Sequence, residues 1–236
     1  MTKFYTLLIG LFLSFSLSSQ DTFSIVAVDP ETGEIGSAGA TCVDGIAQFG
    51  GIKILNTIIP GRGGVNAQAW ICINPHINLD NAIEQMEMGL NPEEIITWLT
   101  ENDACFSQSF DPAYRQYGIA DFDDQGNPRT AAFTGENADD YKGHILGDTY
   151  AIQGNILLGP EVLEGMEMGF INTEGSLAEK LMAAMQGANI PGADARCLNR
   201  GTSSTSAFLK VVKPDDDPEE PFLLLDVLHD RYLSDI

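Results

Sequence analysis

Residues 18–42 read SSQDTFSIVAVDPETGEIGSAGATC, and the fold turns on how this stretch is parsed. Thr22–Val28 and Ile35–Cys42 are rich in β-branched, aromatic and small residues, and each is long enough to be a strand. Between them, Asp29-Pro-Glu-Thr-Gly33-Glu supplies the proline and glycine that a tight turn needs, so the two runs are expected to form a β-hairpin. Thr22 then stands at the front of the first strand, just after a polar break. Either it is a strand residue that happens to follow a cleavage point, or it is the residue meant to become the amino terminus. The two readings imply different proteins.

What precedes the hairpin reads as an export signal. Lys3 provides the positive start, Phe4 to Leu17 are almost wholly apolar, and Ser16-Leu-Ser-Ser-Gln20 is a polar, small-residue exit. The apolar run is too short for a comfortable membrane span, and no later stretch approaches the ~18 apolar residues of one. Residues 1–20 are therefore expected to be removed. Residues 21–236 remain as a single domain, exported to the periplasm or outside the cell and free of the membrane. Hydrophobic residues make up 44% of the chain and 24 are glycine, which suits a packed core with β structure and excludes disorder. The formal charge of −22 becomes −23 without Lys3, and it repels phosphate backbones and anionic lipid, so nucleic acid is not an expected partner.

Four cysteines, Cys42, Cys72, Cys105 and Cys197, suit an oxidising compartment, and their wide spacing without CxxC argues against zinc. Two disulfides can form in any of three connectivities. Cys42 with Cys72 is preferred, because both are read as lying on early, neighbouring strands.

Two further strands are read over Gly50–Ile59 and Gly64–Ile73. The period then changes to helical over Leu79–Gly89 and Pro92–Asn102, with Asp80 and Asn91 as first-turn or capping residues. Strands resume at Arg115–Phe122, Arg129–Thr134 and Thr149–Leu158. Helices follow over Glu161–Gly169 and Ser176–Gly187, and strands over Ser203–Val212 and Phe222–His229. The acidic run Lys213–Pro221 reads as a solvated hairpin loop. Blocks of strands separated by pairs of helices predict an α+β fold with helices laid over sheets. Gln85-Met-Glu-Met-Gly89 and Gly165-Met-Glu-Met-Gly169 echo one another and are read as helix ends that pack alike. Asp121, Asp123 and Gly126 faintly match a calcium loop without its closing glutamate, and a plain turn is the expectation. His76, His144 and His229 are far apart and no G-x-S-x-G is present, so neither a Ser-His-Asp triad, a metal nor a cofactor is expected.

Several phrases together resemble one bacterial family. They are Thr22-Phe-Ser-Ile-Val-Ala27 with Asp29-Pro-Glu-Thr-Gly33; Gly63-Gly-Val-Asn-Ala-Gln68; Ala132-Phe-Thr-Gly135; Tyr150-Ala-Ile-Gln-Gly-Asn-Ile156 before Gly159-Pro; and Pro191-Gly-Ala-Asp-Ala-Arg196 before Ser203-Ser-Thr-Ser-Ala-Phe208. In this order they resemble the domain of unknown function 1028 over essentially all of the chain after the leader. The resemblance implies the N-terminal-nucleophile (Ntn) hydrolase superfamily and a four-layer αββα sandwich, with two mostly antiparallel sheets face to face and helices outside. It implies hydrolysis of a small amide or peptide-like substrate, and it leaves the substrate and any homo-oligomer open. In many members of that family threonine directly follows the initiator methionine, whereas here a whole leader stands in front.

A threonine at an amino terminus can be nucleophile and base at once, because its own α-amine, with a pKa near 8, can take the hydroxyl proton. The condition is a free amine. Leader cleavage after Ser18 or Gln20 leaves at least Asp21 attached, so a second trimming is required, by self-cleavage at Asp21–Thr22 or by an aminopeptidase. Gln153 and Asn155, two apart on one strand, can face the same side and donate to an oxyanion, and Asn66 and Gln68 stand in the same relation. Either pair could equally satisfy buried backbone groups. Lys53 could lower the pKa of the Thr22 hydroxyl from a neighbouring strand or be an exposed strand lysine. Asp194 and Arg196 could line the cleft as an ion pair or brace a loop. The alternative to a hydrolase is a non-catalytic exported envelope or surface module that keeps the same fold.

Overall fold

The computed structural model describes residues 22–228. The leader, Asp21 and His229 lie outside them. The elements are β1 (Thr22–Val28), β2 (Ile35–Thr41), β3 (Asn56–Ile59), β4 (Gly63–Gln68), α1 (Ile77–Glu87), α2 (Pro92–Glu101), β5 (Gln116–Phe122), β6 (Pro128–Thr134), β7 (Gly143–Leu146), β8 (Tyr150–Asn155), α3 (Glu161–Asn172), α4 (Leu177–Gly187), β9 (Ser206–Val212) and β10 (Leu223–Val227).

The opening stretch folds as its turn chemistry requires. Asp29 accepts from the Glu31 amide at 3.0 Å and from the Thr32 hydroxyl at 2.9 Å, and Gly33 takes a φ of 73° that closes the turn. The hairpin β1–β2 sits at the centre of a six-strand antiparallel sheet of order β10-β9-β2-β1-β8-β7, and β3-β4-β5-β6 form a second antiparallel sheet. Alternation along β1 sorts its side chains. Phe23, Ile25 and Ala27 pack under Leu163, Met166, Leu181 and Ala184 of α3 and α4, whereas Val26 and Val28 meet Ile58, Ala120 and Phe122 of the other sheet. Leu79, Ala82 and Met86 of α1 with Ile95 and Leu99 of α2 cover the far side of the second sheet, against Val65, Ala67 and Ile119. The fold is thus α+β, with two antiparallel sheets in contact and a helix pair against each.

The helices begin where their capping residues place them. Asn91 and Glu94 form a reciprocal capping box, as do Ser176 and Glu179. The two Met-Glu-Met phrases do different jobs, contrary to expectation. Gly89 lies just past α1 with nothing near it, whereas Gly165 and Gly169 lie inside α3, where an added Cβ would meet Gly187 O at 2.3 Å and Ala183 O at 2.2 Å of α4.

Three readings of the sequence change. The stretch over Gly50–Ile59 is only half a strand, because Gly50 and Gly51, at φ 93° and 87°, lead into a 3-10 turn over Ile52–Leu55. The strand over Gly64–Ile73 stops at Gln68, where Ala69 and Trp70 turn to φ 57° and 24°. The disulfides are Cys42–Cys197 and Cys72–Cys105, not Cys42–Cys72. The physical reason is topological: β2 and β4 belong to different sheets, so the residues that follow them are not strand neighbours. The Asp121–Gly126 region is the plain β5–β6 turn, with Asp123 accepting from the Gln125 and Asn127 amides at 2.8 Å.

Candidate active site

The space between the sheets is apolar at one end and polar at the other. Thr22 and Ser24 continue the inward row of Val26 and Val28, and their register partners on β8 are Asn155 and Gln153. From the opposite sheet come Asn66 and Gln68 of β4 and Gln116 of β5, all buried. Gly118 makes room for this group, since a Cβ there would lie 1.9 Å from Gln153 Oε1.

Most of these side chains hold one another. Gln153 Nε2 donates to Ser24 Oγ at 2.6 Å, and Ser24 donates to Gln68 Oε1 at 2.6 Å. Gln68 Nε2 donates to the Thr22 carbonyl at 3.0 Å and to Gln116 Oε1 at 2.7 Å. Ser37 and Asn56 both donate to Asn66 Oδ1, at 2.9 and 2.8 Å. Buried polar atoms are ordinarily paired, and an unpaired one costs about 1–3 kcal/mol. Among the described residues, ten buried side-chain atoms have no hydrogen-bond partner, and six of them are here: Thr22 Oγ1, both amide atoms of Asn155, Gln153 Oε1, Asn66 Nδ2 and Asn56 Oδ1. Four of the six, on Thr22, Gln153 and Asn155, lie at the paired ends of β1 and β8, and the other two, on Asn66 and Asn56, lie further along, beside Ser37.

Asp194 and Arg196 flank the same end. Asp194, fully buried, accepts from the Cys42 amide at 2.5 Å and from Arg196 Nη2 at 2.7 Å. Arg196 also donates to Thr41 Oγ1 at 3.3 Å, on the strand next to β1. The pair therefore braces the segment between α4 and β9 against the end of β2, and its guanidinium remains 32% exposed. Lys53 is not brought into the group. It sits on the 3-10 turn and pairs with Asp226 of β10, three strands from β1, while the Thr22 hydroxyl has no partner among the described residues.

No side chain in the cluster titrates near neutrality. His144 shares a hydrogen bond with Thr134 at 2.9 Å. His76 Nε2 meets the Ala67 carbonyl at 3.1 Å, and burial holds its pKa down to about 4. A histidine depressed in the folded state stabilises fully above its ordinary value of 6.5, and that stability is lost as pH falls toward 4. At pH 5 the loss from His76 is expected to reach about 2 kcal/mol at most. Urea midpoints at pH 7 and pH 5 should differ less in His76→Gln than in the parent protein; an equal difference would show that His76 is freely protonated in the fold.

Of the residues singled out in the sequence, Thr22, Asn66, Gln68, Gln153 and Asn155 all line the polar part of the space between the sheets, and Ser24, Ser37, Asn56 and Gln116, not singled out, join them. Ser24 was accessible, since it shares the alternation of Thr22. Gln116 required the pairing of β5 with β4. A separate cleft of about 310 Å³ lies on the outer face of the six-strand sheet, lined by Phe23, Met182, Met185, Leu209 and Leu225, and Thr22 is not in its wall.

Comparison with known proteins adds the following. The family model described as "Family of unknown function (DUF1028)" matches residues 22–232. The crystal structure of a protein from Silicibacter pomeroyi with the same family model is similar, at a TM-score of 0.67 and 26% identity, over 89% of this chain and 82% of that one. No curated protein matches.

Proposed function

The chain belongs to the DUF1028 family, whose function is unknown, and from the geometry at the start of β1 we propose that it is an exported amide-bond hydrolase of the N-terminal-nucleophile type. Thr22 is the nucleophile once residues 1–21 are gone. The layering of helix pair, sheet, sheet and helix pair is that expected of the Ntn class. The two disulfides are compatible with export, and among the described residues no helix is long and apolar enough to cross a membrane.

One observation carries the reading: a buried threonine hydroxyl with no partner among the described residues, facing an asparagine whose amide has none at either end. The cluster's own side chains are amides and hydroxyls, and on this reading the base is the α-amine of the threonine itself. The α-amine takes the hydroxyl proton as Oγ1 adds to the substrate carbonyl. On this reading Asn155 Nδ2, across the register from Thr22, donates to the oxygen that becomes negative. The C–N bond then breaks, the proton leaves with the departing amine, and water hydrolyses the ester on Oγ1. Gln68, bonded to the Thr22 carbonyl, fixes the orientation of the nucleophile. The substrate is a small amide or peptide-like molecule.

Amino-terminal sequencing of the mature protein tests this, and Thr22 is the expected first residue. A homogeneous terminus at Ser19, Gln20 or Asp21 would leave an amide nitrogen with no useful basicity. That outcome would favour the second reading, a non-catalytic exported module, whose support is the leader-cleavage register that leaves Asp21 attached.

A further inference from the structure

Strain in the backbone points to a further part of this site. Seven non-glycine residues among those described have positive φ: Ala69, Trp70 and Asn74, then Gln108, Ser109 and Phe110, then Ile156. They fall in three segments, just after β4, just before β5 and just after β8. Those strand ends converge. Gln68 and Gln116 are register partners, Thr22 and Asn155 are register partners, and Gln68 bonds Thr22. Ala69 directly follows Gln68 and Ile156 directly follows Asn155, so two of the three segments abut residues that bond or pair with Thr22. Conformations of this kind are costly and persist where surrounding contacts enforce them, commonly at ligand clamps.

What the strain achieves at β4 is the placement of an indole. The φ of 24° at Trp70 takes the chain out of the sheet and leaves the ring half-buried at its edge. The ring is fixed from several directions. Its Nε1 donates to Asp139 Oδ2 at 2.9 Å, and the Asp139 carbonyl accepts from the Ile156 amide at 3.0 Å, next to Asn155. The Trp70 carbonyl accepts from Arg115 Nη1 at 2.7 Å, and Tyr114 stands edge-on with centroids 6.2 Å apart. Phe106 and Phe110, on the segment that leads to Tyr114, are 54% and 55% exposed. A fully buried arginine and the Cys72–Cys105 disulfide thus hold a half-exposed aromatic ring that Asp139 ties to the residue after Asn155.

We propose that Trp70 and Tyr114 form the wall of a substrate subsite for a planar aromatic group adjacent to the scissile amide. The proposal rests on the Thr22 reading for what happens to the amide, but binding at the wall does not depend on turnover. An aromatic group stacks on such a rigid indole with little ordering entropy, and the Asp139 bond leaves the ring face free to receive it.

The chain has two tryptophans, so Trp98→Phe leaves Trp70 as the only indole reporter. N-benzoylglycinamide, titrated into that protein, is expected to change Trp70 fluorescence saturably and to bind about tenfold more tightly than N-acetylglycinamide. By calorimetry, Trp70→Phe should retain most of this preference and Trp70→Ala should lose it. Equal binding of the two amides to the parent protein, or a preference that survives in folded Trp70→Ala, overturns the proposal. Failure of the catalytic reading is separate: an untrimmed terminus with the aromatic preference intact removes the hydrolase and keeps the subsite.

Discussion

Replacing Thr22 with valine is expected to abolish hydrolysis and, at the same time, to stabilise the fold. Loss of the nucleophile should lower turnover of N-benzoylglycinamide by roughly 10⁴-fold or more, since the remaining donors bind the carbonyl without attacking it. The stability effect has the opposite sign. The Thr22 hydroxyl belongs to a residue 1% exposed and has no partner among the described residues, so its desolvation is uncompensated by any of them. Valine keeps the shape and removes that cost, and a gain of about 1 kcal/mol in urea unfolding is expected. This is the relation between activity and stability anticipated at a site kept polar for chemistry. A Thr22→Val protein that unfolds more easily than the parent would show that the hydroxyl is satisfied in the folded protein, and the argument from its isolation would fall.

Arg115→Met is expected to have the largest effect on stability. Arg115 and Asp103 side chains are each 1% exposed and paired at 2.8 Å. The same guanidinium donates to the carbonyls of Trp70, Cys105 and Ser107. Methionine fills most of the volume but leaves a buried carboxylate and three carbonyls without their donor. Breaking a buried pair from one side typically costs about 3–5 kcal/mol, and urea denaturation should show a loss in that range. Arg115→Lys is expected to recover only part of it, because one ammonium cannot reach carbonyls spread around a planar fork. A loss below about 1 kcal/mol for Arg115→Met would mean that Asp103 reaches solvent.

The β1–β2 hairpin and the four helices were legible because they carry their own signals: alternation in β1, Pro and Gly in its turn, helical periodicity and caps at Asn91 and Ser176. The inward pairs Asn66–Gln68 and Gln153–Asn155 follow from a period of two alone, and the same period, not applied to β1, sets Ser24 beside Thr22. What escaped was everything set by long-range pairing. β7 has only four residues and half-buried alternation, too little to stand out. Lys53 looked like a strand residue because Ile52-Lys-Ile alternates, yet two left-handed glycines before it start a turn instead. The true cysteine pairs needed the sheet assignment of β2 and β4, which no local pattern contains. Trp70 sits at the end of an apolar run and reads as strand until its φ is known.

Both covalent crosslinks are toward the edge where β1 begins: one anchors the segment bearing Asp194 and Arg196, and the other ties the segment after β4, which bears Trp70, to the one that leads to Arg115 and β5. The opposite margin, around Val28, Ile58 and Phe122, relies on close packing alone. A chain still carrying four thiols can therefore collapse its greasy half and leave its business end slack. On the proposed reading, oxidation outside the cytoplasm is what tightens that rim.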